Sequence, residues 1–171
     1  MLKMFKKIIN NKPAFSLIEI MAVLLIVSLG IIGVANLATQ SIQAQTINRG
    51  SIVAYQLAQE GLEIVRQIRD TNWLQGNDWK NGLGSGTYCL DYKSTVLRPV
   101  ASLNECKLYF DNDKWYYSPL LEGPGMTFTG FRRVVVINAA TSSATVTALV
   151  SWDDRNKVFH YEVETQLYDW R

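Results

Sequence analysis

The chain has 171 residues, of which 48% are hydrophobic and 19% charged, and this composition fits one ordinary globular domain. The net charge of +2 arises at the N-terminus, where Lys3, Lys6, Lys7 and Lys12 have no acidic neighbours. Removing these four of the 17 basic residues leaves 13 basic side chains against 15 acidic ones, so charge gives no support for nucleic-acid binding.

A long apolar run follows the basic segment. From Phe15 to Ala38 the sequence reads FSLIEIMAVLLIVSLGIIGVANLA, and Glu19 is the one ionisable residue in it. A helix of this length spans about 36 Å, enough to cross a hydrocarbon core of about 30 Å. Because the lysines precede the run, the positive-inside rule predicts a cytoplasmic N-terminus and an extracytoplasmic chain after Ala38. The sequence therefore predicts a single-pass protein of the inner (cytoplasmic) membrane.

The start of the apolar run carries a short motif, KPAFSLIEIM, with Ala14 before Phe15 and Glu19 four positions later. A secretory signal carries its small cleavage residue after the apolar core, whereas Ala14 lies before it. The motif resembles the prepilin signature of the type IV pilin and pseudopilin superfamily. The resemblance implies that a prepilin peptidase/methyltransferase cuts between Ala14 and Phe15, releases the leader 1–14 and N-methylates Phe15. Ala14 departs from the glycine that is usual before the cut.

Glu19 is costly in a membrane, because a carboxylate in an apolar helix needs a partner or a proton. The macrodipole of the first helical turns favours a negative charge there. Glu19 also follows Phe15 by four residues, so that a freed amine at Phe15 could approach it. The resemblance implies a role in subunit assembly, in which Glu19 pairs with the amine of a neighbouring subunit. The alternative is a glutamate that reaches the headgroups and has no partner.

The helical pattern continues beyond the membrane segment. An amphipathic stripe and the absence of proline from 14 to 98 predict one helix of about 55 residues, comprising the membrane segment 15–38 and an amphipathic continuation 39–73. We expect Gly50 to bend or loosen this helix, and Gly30 and Gly33 either to weaken it or simply to be tolerated in the membrane. Ion pairs are predicted between Glu63 and Arg66 and between Arg66 and Asp70. The stripe consists of Val53, Leu57, Ile64 and Ile68.

Residues 74–171 show the features of a globular antiparallel β domain. A glycine- and asparagine-rich loop follows Trp73, and short aromatic segments then precede the strand-like FRRVVVIN. In the last two strands an alternating pattern predicts a common face on each, with DDRNK as the turn between them. These faces comprise Val146, Ala148, Val150 and Trp152 in one strand and Phe159, Tyr161, Val163, Thr165 and Leu167 in the other.

The two cysteines, Cys89 and Cys106, both lie in the segment predicted to be exported. In an oxidising compartment they can form a disulfide, which would stabilise the fold by roughly 3 kcal/mol. The alternative is a pair of reduced thiols in a core strand. With His160 as the one histidine and no CxxC motif, the sequence predicts no metal site and no cofactor.

Catalytic motifs are absent from the sequence, which contains no GxGxxG, Walker or GxSxG motif. His160 is predicted to be a surface residue rather than a base. The four aspartates Asp111, Asp113, Asp153 and Asp154 lie in two predicted hairpin turns and lack EF-hand spacing for calcium. Five tryptophans offer stacking faces for single-stranded DNA, but core packing explains them more simply, so DNA binding has no independent support. They are Trp73, Trp79, Trp115, Trp152 and Trp170.

The resemblance implies an α+β, type IV pilin-like fold, in which the long N-terminal helix packs on a C-terminal antiparallel β-sheet. It also implies a non-enzymatic, structural subunit of a pilus-like filament, a minor or accessory pilin or a pseudopilin. Its partners would be other pilin subunits, membrane lipid before assembly and the inner-membrane assembly machinery. Type IV pili, type II secretion pseudopili and competence pseudopili share this signature. The alternative is a signal-anchored extracytoplasmic binding or enzymatic domain that does not polymerise.

Overall fold

The computed structural model describes residues 15–91, 96–111, 116–118 and 125–169. The predicted leader 1–14 with Ala14, most of the aspartate turn at 111–113, and two of the five tryptophans, Trp115 and Trp170, lie outside this range. The described chain is α+β, with one long N-terminal helix and a C-terminal antiparallel sheet. It divides between Gln45 and Thr46 into two compact units.

The helix, α1, runs from Leu17 to Leu74 and is 58 residues long, close to the predicted length. In the first unit its side chains are exposed on every side, and its buried residues begin only at Ala54. In the second unit one face is buried, and this face contains the predicted stripe. Leu57, Ile64 and Ile68 are buried there, and Val53 packs against the core.

Gly50 has a role in close packing. Helix α1 continues through it, and a Cβ built on Gly50 would lie 2.5 Å from Nε1 of Trp152. The indole occupies the space that any other side chain would need. The helix therefore requires glycine here so that the sheet can approach, a reason different from the bend expected from the sequence.

The C-terminus of α1 is closed by a Schellman motif. Gly76 adopts a positive φ of 71°, its N–H donates to the carbonyl of Trp73, and the N–H of Asn77 donates to the carbonyl of Asn72. The Asn72 side chain is buried and donates to the carbonyls of Trp79 and Asn81. These contacts fix the loop that follows the helix.

Within the described residues seven strands form the sheet: β1 (Gly86–Cys89), β2 (Arg98–Pro99), β3 (Lys107–Asp111), β4 (Tyr116–Ser118), β5 (Met126–Ala139), β6 (Ser143–Asp154) and β7 (Lys157–Tyr168). The long strand β5 lies at the centre of the sheet. On one side β5 pairs with β6, and β6 pairs with β7; on the other side β5 pairs with both β1 and β3, which carry β2 and β4 on their outer edges. All of these pairs are antiparallel. A 3-10 helix spans Leu103–Glu105.

The alternation predicted for the last two strands is confirmed. The four predicted residues of β6 are all buried, and the predicted face of β7 is partly buried against the same core, with Leu167 fully inside. The turn between these strands places Arg155 and Asn156 at positive φ, as a two-residue hairpin loop requires.

Cys89 and Cys106 form the expected disulfide, with their Cα atoms 5.6 Å apart. Both are buried, and they cluster with Val134 of β5. Residues on β5 alternate between the two faces of the sheet, and Val135, the next residue, belongs to the main core that includes α1. The disulfide cluster therefore covers the opposite face of the sheet from that core.

Candidate functional site

The candidate site lies at the beginning of α1. Phe15 precedes the helix and is 76% exposed, and Glu19 belongs to the first helical turn. The carbonyl of Ser16 accepts hydrogen bonds from the N–H groups of Glu19 and Ile20, so regular helical bonding begins at this point. Glu19 thus lies where the unpaired N–H groups of the first turn give the helix its positive end.

The surface around Glu19 is apolar and open. The large hydrophobic residues between Phe15 and Leu37 are each about half or more exposed, and no residue of the most apolar window is buried. No other ionisable residue occurs from Phe15 to Gln45. An apolar surface this extensive is unfavourable in water, so this part of the chain needs lipid or other protein helices around it.

Two hydroxyl groups farther along this segment are hydrogen-bonded within the helix itself. The hydroxyl of Ser28 donates to the carbonyl of Leu25, and the hydroxyl of Thr39 donates to the carbonyl of Ala35. A Cβ on Gly30 or Gly33 would meet nothing within 4 Å, so both glycines leave room for a close neighbour. Glu19 is thus the one charge that the segment presents to its surroundings.

Among the described residues one helix, α1, is long and apolar enough to span a membrane, and it lies near the N-terminus, which is consistent with single-pass membrane anchoring. No protein-family model, curated protein or solved structure matches the chain. The long apolar N-terminal helix and the antiparallel sheet are compatible with a pilin-like fold. Assignment to that family therefore depends on the residues themselves.

The other polar residues singled out in the sequence do not form a site. His160 is exposed on β7, and within the described ranges no three His, Cys, Asp or Glu side chains come close enough to hold a metal. Asp153 and Asp154 lie in β6 rather than in the turn, and Asp153 accepts a 2.8 Å bond from Arg132. The three described tryptophans, Trp73, Trp79 and Trp152, are buried in the core.

The ion pairs on the exposed face of α1 differ in part from the expectation. Arg66 pairs with Glu63 at 3.2 Å as predicted. Its other guanidinium nitrogen donates to the hydroxyl of Thr165 on β7, and Asp70 instead accepts a bond from Arg69. The difference arises because β7 provides Arg66 with a partner 99 residues away in the chain.

One buried residue, Arg133, was not predicted from the sequence. The side chain of Arg133, in the middle of β5, is completely buried and reaches α1, where it donates to the carbonyl of Leu57 at 2.9 Å and to Glu60 at 3.3 Å. It also donates to the carbonyl of Leu90 at 3.4 Å. Glycine at position 61 permits this approach, since a Cβ there would lie 3.3 Å from Cδ of Arg133.

Burial lowers the pKa of Arg133 below its ordinary value, and the negative charges of Glu60 and Asp91 partly offset this effect. The bonds to two carbonyls and a carboxylate keep the buried cation solvated by protein groups. The interaction ties the centre of the sheet to the helix. The only signal in the sequence is a charged residue in the apolar strand FRRVVVIN, and alternation alone does not reveal which arginine points inward.

Proposed function

We propose that this chain is a structural subunit of a type IV pilus-like filament, a minor or accessory pilin or a pseudopilin. The observation that supports this best is Glu19, a lone carboxylate in the first turn of α1. In the first unit the apolar side chains of this helix are exposed on every side. A simple membrane anchor gains nothing from a charge at this position. A filament subunit gains a means of setting its position along its neighbours.

The energetics favour a partner for Glu19. A carboxylate within an apolar helix costs about 3 kcal/mol in a bilayer, and the helix macrodipole offsets only part of that cost. After cleavage between Ala14 and Phe15, the new amine provides a positive charge. Pairing between Glu19 of one subunit and the amine of Phe15 in the next neutralises both charges and fixes the axial step between the subunits.

The apolar side chains supply the attraction between subunits. In the membrane they contact lipid, and in a filament they contact the corresponding helices of other subunits. Gly30 and Gly33 leave the helix surface open to such close contacts. The sheet unit then lies on the extracytoplasmic side, where Cys89 and Cys106 can oxidise.

The decisive experiment is the intact mass of the protein isolated from cells that express an active prepilin peptidase. The proposal predicts a mature chain that begins at Phe15 and carries one additional methyl group. A full-length chain that persists in those cells contradicts processing and favours the signal-anchored domain that does not polymerise. A catalytically inactive peptidase serves as the control, because it must leave residues 1–14 in place.

A further inference from the structure

Strand β7 forms one outer edge of the sheet. Its twelve residues pair with β6 in an unbroken antiparallel register, from Lys157 opposite Asp154 to Tyr168 opposite Ser143. Among the described strands, none pairs with its other edge. An edge of this length presents a row of backbone N–H and C=O groups. Strand β7 contains neither a proline nor a bulge, which are two common features that prevent an additional strand from pairing with an edge.

The two sides of this edge differ in chemistry. On the side facing away from the core, Glu162 and Glu164 are exposed. On the side facing α1, Tyr55 of the helix contacts Tyr161 of β7 edge-to-face, with the ring centroids 6.0 Å apart. Tyr55 is 48% exposed, and Ile52, one helical turn earlier, is 59% exposed. Near the middle of β7 the edge therefore has an acidic side, at Glu162 and Glu164, and an apolar side, at Tyr161 and Tyr55; Arg66 contacts Thr165 farther along the strand.

We propose that the free edge of β7 receives an extended strand from a partner protein, in which basic and apolar residues alternate. The backbone of that strand would continue the hydrogen-bond ladder of the sheet. Because successive side chains of a strand point to opposite faces, its basic residues would lie beside Glu162 and Glu164 and its apolar residues beside Tyr55. This site lies within the second unit and does not depend on filament assembly.

A second copy of this chain fits the edge less well. Parallel pairing of two β7 strands in register places each of these carboxylates opposite its own copy, and antiparallel pairing centred on Val163 places Glu162 opposite Glu164, so a second copy avoids these contacts only in shifted registers. Like charges directly opposite each other destabilise a strand pair. Charge complementarity therefore favours a basic partner strand over self-association.

The test uses the purified full-length chain in detergent micelles and a fluorescent, end-blocked peptide of alternating lysine and valine. Fluorescence anisotropy measures binding, and amide hydrogen exchange measures protection of β7. The control peptide has the same sequence but carries N-methyl groups on all of its backbone nitrogens, so that neither of its edges can donate hydrogen bonds to the ladder. We expect saturable binding and new protection in β7 with the first peptide only.

Charge reversal tests the acidic side. The double variant E162K/E164K should weaken binding of the lysine peptide by about tenfold or more. The matched variant D70K/E105K changes the net charge equally at exposed positions outside β6 and β7, and it should bind within about twofold of the parent chain. If E162K/E164K fails to fold, the methylated peptide still tests the proposal on the unaltered protein.

Three results would overturn the proposal: no saturable binding at millimolar peptide, equal binding of the methylated peptide, or binding by E162K/E164K that matches that of the parent chain. Self-association with protection of β7 in the absence of peptide would also overturn it, since a second copy would then occupy the edge. Each of these outcomes leaves the processing of Phe15 untouched, so this proposal and the filament proposal can fail separately.

Discussion

Arg133 and Glu19 both lie in apolar surroundings, but they differ in where a partner can come from. Arg133 is completely buried and finds its partners within the fold, on α1 and after β1. Glu19 is surrounded by exposed apolar side chains in the first unit. A buried charge that is satisfied internally serves stability, whereas a charge on an open apolar surface is available to another molecule.

At the residue scale, we expect Glu60→Gln to destabilise the protein by about 1–2 kcal/mol, because it removes the negative partner of a buried cation while part of Glu60 is open to solvent. Chemical denaturation of the full chain measures this loss. Glu63→Gln is the matched control on the same helix, since its pair with Arg66 is exposed and should contribute less than about 0.5 kcal/mol. Equal losses in both variants would contradict the role of Glu60.

Gly50→Ala should lower stability by about 1–2 kcal/mol, because overpacking against Trp152 outweighs the gain of about 1 kcal/mol in helix propensity. The melting temperature of the second unit reports this effect. Gly33→Ala, where the added methyl meets nothing, should leave that temperature unchanged. An unchanged melting temperature for Gly50→Ala would show that the indole moves aside without cost.

At the scale of elements, the helix and the last hairpin were predictable from local patterns, whereas the contacts between elements were not. The stripe in α1 and the alternation in β6 and β7 follow directly from the periods of helix and strand. The contact of Gly50 with Trp152 and the inward direction of Arg133 depend on how helix and sheet meet, and residues 76 to 102 positions apart in the chain must come together for these contacts. The sequence shows no local sign of such pairs.

The two proposed sites differ in the same way, because the first could be predicted from the sequence and the second could not. The residues of the first site, Phe15 and Glu19, were identified from the sequence, because a lone carboxylate in an apolar run is visible without any structure. The acidic and apolar sides of the β7 edge were not, since they depend on which strand ends the sheet and on which helical residues lie beside it.

At the scale of elements, the disulfide leads to a prediction about the stability of the fold. Replacing both Cys89 and Cys106 by alanine should reduce the free energy of unfolding by about 3 kcal/mol, through greater freedom of the unfolded chain. Urea titrations of the parent chain with and without a reductant provide the same comparison without a mutation. The reductant should leave the alanine variant unchanged, and a parent chain equally stable in both conditions would contradict the prediction.

At the scale of the whole molecule, the two units have opposite requirements. The second unit buries its own core, from Ala54 on the helix to Leu167 on β7. The part of α1 in the first unit buries no side chain among the described residues and needs other molecules around it. This contrast is what a protein requires if it first resides in a membrane and later associates through the same helix.

Glu19→Gln tests this requirement in cells. We expect normal membrane insertion, because glutamine is neutral and nearly isosteric, but a loss of about tenfold or more in filament incorporation, since no ion pair can form with the amine of Phe15. Immunoblots of sheared filaments and membranes measure the two quantities. Glu63→Gln makes the same chemical change in the second unit and should assemble normally. Normal incorporation of Glu19→Gln would remove the proposed role of this residue.

The contact of Arg66 with Thr165, 99 residues later in the chain, also has a kinetic consequence. The helix is synthesised first, yet its apolar face is covered only after β5, β6 and β7 have formed. Folds dominated by such distant contacts typically form in milliseconds to seconds, because loop closure precedes any gain. During that interval Leu57, Ile64 and Ile68 remain uncovered, and this apolar face is open to aggregation until the last strand forms.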